Sequence, residues 1–143
     1  MVLSASICAI CGLKEVFVFF MAIDVNDITY KINGAAYEVH NTLGSGFLEK
    51  VYEAALAHEM GLKGLQVKRQ VPLKVEYKGV IVGDYIADLL VESRVLIELK
   101  AVETLQGLHE AQVLNYLKAT GLEVGLLMNF KKERLEIRRF INT

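Results

Sequence analysis

The hydrophobic period of this chain changes along its length, and that change constrains the fold more than any other feature. Ile28, Ile32, Ala35, Ala36, Val39 and Leu43 recur at spacings of three and four, the pattern of a helix with one apolar face. Asp24 or Asn26 can cap its start. Gly44-Ser45-Gly46 breaks the pattern. A second helix is expected over residues 47–60, with Leu48, Val51, Ala55, Leu56 and Ala57 inside and Gly61 and Gly64 ending it. The period then becomes two: Val67, Arg69, Val71, Leu73, Val75 and Tyr77 alternate with polar neighbours. Lys78-Gly79 makes a turn, and residues 80–92 form a strand in which Gly83 allows a bend. Glu92-Ser93-Arg94 makes a second turn, and residues 95–101 form a short apolar strand. Together these read as an antiparallel meander. A third helix is predicted over residues 104–119, ending at Gly121, and strands near residues 123–129 and 134–141 close the chain. The order is ααβββαββ, an α+β arrangement. Pro72, the only proline, sits among alternating residues, which marks an edge strand or a bulge.

The 143 residues suit one domain, and 53% hydrophobic content is enough to bury a core, so a disordered chain is excluded. A net charge of -1 gives no global field for nucleic acid. Basic side chains are locally dense instead. Lys63, Lys68, Arg69, Lys74 and Lys78 face one acid, Glu76, in residues 62–78, and Lys131, Lys132, Arg134, Arg138 and Arg139 gather near the end with Glu133 and Glu136. Each cluster is either a phosphate-facing patch or a solvated strand face.

Residues 1–20 differ in character from the rest of the chain. They are apolar but interrupted by Lys14 and Glu15, which makes a poor membrane span, and they lack the basic start and small-residue cleavage site of a secretory signal. We read them as an N-terminal extension, with Met21 as the expected translational start of a domain over residues 21–143; a short extra strand or a membrane-facing segment is the other reading. Cys8 and Cys11 form a C-x-x-C pair without the second half of a zinc site. The rest of the chain has no cysteine, as expected for a reducing, cytoplasmic compartment.

The chemistry concentrates in the meander. Side chains alternate along a strand, so Glu98 and Lys100 share a face while Ile97 and Leu99 share the other. A tight turn centred on Ser93 brings Asp88 opposite a position near Glu98. Two carboxylates and an amine then converge among Ala87, Leu89, Leu90, Ile97 and Leu99, where charge is costly unless paired or bound to metal. A salt-bridged strand pair would account for an isolated E-x-K; an aspartate, a turn and then E-x-K is more specific. Two carboxylates hold Mg²⁺ while leaving positions open for water. The metal acidifies that water and neutralises phosphate oxygens, and a nearby lysine steadies the charged transition state.

Asp88 followed by Glu98-x-Lys100 resembles the core signature of the PD-(D/E)XK nuclease superfamily. The third helix carries Gln112 and Tyr116 at i and i+4, on one face, and Q-x-x-x-Y after the E-x-K strand resembles the exonuclease-like branch of that superfamily. Gly46-Phe-Leu-Glu49-Lys-Val-Tyr52 reads G-x-x-E-x-x-Y and resembles the small prokaryotic GxxExxY family, as do Glu38-Val39-His40, Val71-Pro72-Leu73, Ala87-Asp88-Leu89-Leu90 and His109-Glu110-Ala111-Gln112. The resemblance covers about residues 24–142. One departure is Ala87, where the superfamily signature has a proline before the aspartate.

The resemblance implies a restriction-endonuclease-like core, a mixed central sheet flanked by helices. It implies a nuclease that hydrolyses DNA phosphodiester bonds with Mg²⁺, or Mn²⁺ in its place. Asp88, Glu98 and Lys100 would be catalytic, and Glu49, Asp88 and Glu98 would hold the metal. Gln112, Tyr116, Tyr52 and His40 would bind substrate or order the site. From its residues alone, Glu49 is also a first-turn glutamate favoured by the helix dipole, and His40 is also a structural histidine. The competing function is a catalytically inactive nuclease fold that binds nucleic acid or protein. No recognition domain accompanies the core, so specificity would come from a homo-oligomer, a partner or the structure of the DNA, with no role for a membrane.

Overall fold

Asp24 starts the first helix as expected: its Oδ1 accepts the Asn26 backbone N–H at 3.0 Å, satisfying one of the donors a helix start leaves free. The computed structural model describes residues 23–143; Cys8, Cys11, Met21 and the extension over residues 1–20 lie outside them. Helix α1 spans Val25–Leu43 and α2 spans Glu49–Leu62. Strands β1 (Val67–Tyr77), β2 (Val80–Val91) and β3 (Val95–Lys100) follow. Helix α3 (Gly107–Thr120) and strands β4 (Val124–Asn129) and β5 (Glu136–Ile141) complete the order ααβββαββ. Among these residues no helix is long and apolar enough to cross a membrane.

The five strands form one sheet in the order β1-β2-β3-β4-β5. All neighbours are antiparallel except β3 and β4, which run parallel with α3 as the crossover. The sheet is therefore mixed. Helices cover both faces of its centre, which is why β3 and β4 are buried almost throughout rather than alternating. On one face Val95, Ile97, Leu99, Leu126 and Met128 meet Ile32, Ala36, Leu56 and Met60 of α1 and α2. On the other, Leu96 and Leu127 meet Val113, Tyr116 and Leu117 of α3. Gly125 permits that second contact, because a Cβ there would lie 2.6 Å from Val113 Cγ1.

Three expectations are refined. Leu48 is the extended residue before α2 rather than part of it, and it and Val51 are exposed. The buried stripe is Tyr52, Leu56 and Met60, spaced by four, with Glu53 beside it. Pro72 lies on β1, an edge strand, the place in a sheet where proline is tolerated. The bulge falls elsewhere: Val75 pairs with Gly83 and Glu76 with Ile81, which leaves Val82 as the extra residue.

Candidate functional site

The β2–β3 ladder runs only from Val91↔Val95 to Leu89↔Ile97. Its short turn, with Glu92 and Ser93 both in the left-handed region, fixes the register, so Asp88 and Glu98 are the next residues across. The ladder stops there because two carboxylates replace its bonds. Glu98 Oε1 accepts the Asp88 N–H at 3.1 Å, and Asp88 Oδ2 accepts the Leu99 N–H at 2.8 Å. The strands part at this point and leave both acids at the opening. Glu98 is only 2% exposed. Burial, and then the charge of Asp88, push its carboxyl up to about 8, against the opposing pull of the Asp88 amide and Lys100.

Glu49 approaches from the first turn of α2. It lines a cleft of about 140 Å³ together with Asp88, Lys50, Glu53, Gln70 and Leu99. Its Oε1 accepts the Ala101 N–H at 3.4 Å, just beyond Lys100. Tyr52 places the start of α2: its hydroxyl donates to Gly44 O at 2.6 Å and accepts the Phe47 N–H at 3.2 Å, while its ring stacks on Phe130 at 4.6 Å. Tyr52 therefore acts on the loop that presents Glu49, and its hydroxyl is committed there. His40 is buried, with Nε2 2.9 Å from Lys132 O. It ties α1 to the β4–β5 connection, and its bonded partner is that carbonyl rather than a carboxylate of the site.

From the opposite layer, Gln112 Nε2 donates to Tyr116 Oη at 2.9 Å. Burial raises the Tyr116 hydroxyl, with the charges of Glu98 and Asp88 adding to the effect. Gln112, Tyr116 and Lys100 line one groove of about 950 Å³ between α3 and the β1–β2 hairpin. Glu49 and Asp88 thus line the cleft beside α2, Lys100, Gln112 and Tyr116 line the groove beside α3, and Glu98 joins Asp88 through the Asp88 N–H.

Two supports carried no sequence signal. Glu53, 3% exposed, accepts Arg69 Nε and Nη2 at 3.1 and 2.9 Å and also Gln70 Nε2. Gln70 stands beside Asp88 with a positive φ of 52°. Asn129 is fully buried and clamps the chain after Lys100, donating to Val102 O at 2.8 Å and accepting the Val102 N–H at 3.1 Å. Both pairings join residues far apart in sequence, so only the fold reveals them. The two basic clusters divide. Arg69 is held by Glu53, Arg138 by Glu110 and Glu136, and Lys131 and Lys132 lie within 3.7 Å of Glu103 and Glu136. Lys74 alone from the first cluster lines the groove.

Asp88 and Glu98 are the carboxylates that could hold a divalent cation, and Glu49 lines the same cleft as Asp88. The donors are all oxygen, which suits Mg²⁺. Among the described residues, no group of three or more histidine, cysteine or acidic side chains is gathered closely enough to hold a metal ion.

Comparison with known proteins agrees with this architecture. No curated protein matches the chain. The crystal structure of SSO0001 superposes with a TM-score of 0.50 at 18% identity, over 65% of this chain and 49% of that one, a likeness of fold alone. This chain therefore spans about half the length of that structure. The sequence match is more extensive: residues 26–140, from the second residue of α1 to within β5, match the PD-(D/E)XK nuclease superfamily, and the chain belongs to it.

Proposed function

We propose that this protein is a Mg²⁺-dependent nuclease that hydrolyses DNA phosphodiester bonds, and that within its superfamily it falls in the GxxExxY group. The observation that carries the reading is the pair of carboxylates interlocked across the end of the β2–β3 ladder, Asp88 with Glu98, and Lys100 two residues along the same strand.

A bound Mg²⁺ would supply an acidified water and neutralise charge on the phosphate. The chain's own residues do the rest. Asp88 and Glu98 would hold the cation, and the backbone amides of Asp88 and Leu99 fix the orientation of both carboxylates before substrate arrives. Glu49 adds a third carboxylate from α2, aimed by Tyr52 through the Gly44–Phe47 loop. Lys100 stands on the groove side of the sheet, where its ammonium steadies the water and the charge that builds on the phosphate. Gln112 and Tyr116 fix each other and border the groove through which the strand reaches the site.

Incubation of the purified protein with linear, single-stranded and branched DNA, with Mg²⁺ or Mn²⁺, tests this. Cleavage is expected, with loss in Glu98→Ala and a fall of about 10²–10³-fold in Lys100→Ala. Cleavage that survives both substitutions unchanged comes from a contaminant and removes the site. DNA binding without metal binding or cleavage would instead indicate a nuclease fold that has become a binding module.

A further inference from the structure

The groove between α3 and the β1–β2 hairpin has properties that phosphodiester chemistry does not require. Three ammonium groups line it, from Lys74 on β1, Lys100 on β3 and Lys118 near the end of α3, against one carboxylate, Glu76. Lys74 also meets Asp84, but both side chains of that pair are largely exposed, so the pairing is weak and yields readily to a phosphate. An aromatic ring stands among these charges. Tyr85 is 49% exposed yet fixed in place. Its ring centroid lies 5.6 Å from that of Tyr116 at a 50° tilt. On its own strand it lies over Gly83, where a Cβ would come within 3.0 Å of Tyr85 Cε2. The glycine in the strand and the adjacent bulge leave room for a ring along the hairpin, and Tyr85 lines the groove with about half of its surface exposed.

A positive groove with a held aromatic platform suits unpaired bases. In a duplex the base faces are stacked on one another and unavailable, whereas a single strand offers a face for every base and a phosphate for every lysine. The geometry points to single-stranded DNA as the substrate class: a strand lies in this groove with a base on Tyr85 and phosphates at Lys74 and Lys118, and its path ends at Lys100. The assignment rests on the reading of the site as a DNA nuclease, but binding can be measured apart from cleavage.

The test is fluorescence anisotropy of the full 143-residue chain with 5′-labelled oligothymidylate and with a blunt duplex of equal length, in EDTA so that nothing is cut. Oligothymidylate is expected to bind at least about 10-fold more tightly than the duplex, and Tyr85→Ala to weaken it about 10-fold, with Tyr85→Phe close to the unaltered protein. Lys118→Ala, on an exposed helix position, is expected to lower the slope of log affinity against log salt by about 0.7. It provides an independent readout if Tyr85→Ala does not fold by circular dichroism. Preference for the duplex, affinity unchanged by a folded Tyr85→Ala, or a salt slope unchanged in Lys118→Ala overturns the assignment. Tyr85-dependent binding without any cleavage in Mg²⁺ would remove the nuclease reading and leave the groove; cleavage of duplex that ignores Tyr85 would do the reverse.

Discussion

The centre of the sheet and the far end of the β1–β2 hairpin are both β-structure, but they are built for different work. Val95–Leu99 and all of β4 are buried between helix layers. From Val80 to Ile86 the hairpin buries no residue, and Tyr77, Val80, Ile81, Val82, Tyr85 and Ile86 are exposed apolar side chains. The boundary falls at Asp88 and Glu98, where β2 leaves β3. The packed side gives the two carboxylates fixed positions and a low-dielectric setting. The open side gives a substrate something to lie against. A two-stranded ribbon is marginal alone; the packing of Leu73 and Ala87 with α3 residues anchors its base.

The contrast predicts effects of very different size. The largest is on activity. Asp88→Asn, which keeps shape and loses charge, should reduce DNA cleavage to background while the melting temperature stays near or above that of the unaltered protein. Loss of activity together with loss of folding would show that the interlocked carboxylates serve structure first.

Next is packing. Gly125→Val should cost about 1–3 kcal/mol in urea unfolding, because β4 and α3 leave no room for a side chain. A change below about 0.5 kcal/mol would mean the layers can separate, contrary to a rigid centre.

The third prediction concerns pH. Glu98 is raised from about 4.5 to about 8, so between these values the metal-free folded chain holds a proton that the unfolded chain has released. Stability from this group is therefore complete below pH 4.5 and lost as the pH rises to about 8. Urea titrations in EDTA should show that decline, and Glu98→Gln should flatten it. Because a metal ligand must be ionised, Mn²⁺ affinity should rise over the same interval. Stability that rises through it would contradict the burial of an acid beside an acid.

The smallest effect belongs to the hairpin. Val82→Lys, at an exposed bulge residue, should move stability by no more than about 0.5 kcal/mol. A larger loss would mean that the hairpin is covered by something in solution.

Much of the fold was legible because local patterns agreed with the tertiary result. The turn at Glu92–Arg94 and strand alternation were enough to set Asp88 across from Glu98. The period of three and four that ends at Gly44 marked α1, and Gly121, in the left-handed region at φ 72°, ends α3. What escaped was non-local. Leu48 and Val51 fit the apolar pattern of α2, but Tyr52, Leu56 and Met60 win the core because they meet the β3–β4 face. The bulge was expected near Pro72 if anywhere, yet an edge strand accommodates a proline without one, and Gly83 with Tyr85 moves it toward the hairpin end. At the site, Glu98 and Lys100 were readable from one short strand. Glu53 with Arg69 and Gln70, Asn129 with Val102, and Tyr85 with Tyr116 were not, since each joins separate elements that no spacing rule connects. Basic density also misled in part: most of the later cluster is occupied by Glu103, Glu110 and Glu136, while Lys118 stood outside both clusters and lines the groove.

Whether the paired carboxylates hold a metal is decided by a crystal structure of the chain soaked in Mn²⁺, with the ion identified by its anomalous signal. One ion is expected at the opening between β2 and β3, contacted by Asp88 and Glu98, with Glu49 turned from the Ala101 amide toward it. A protein saturated with Mn²⁺ that holds no ion there, or holds one only at residues elsewhere, would refute the metal site and the nuclease chemistry built on it.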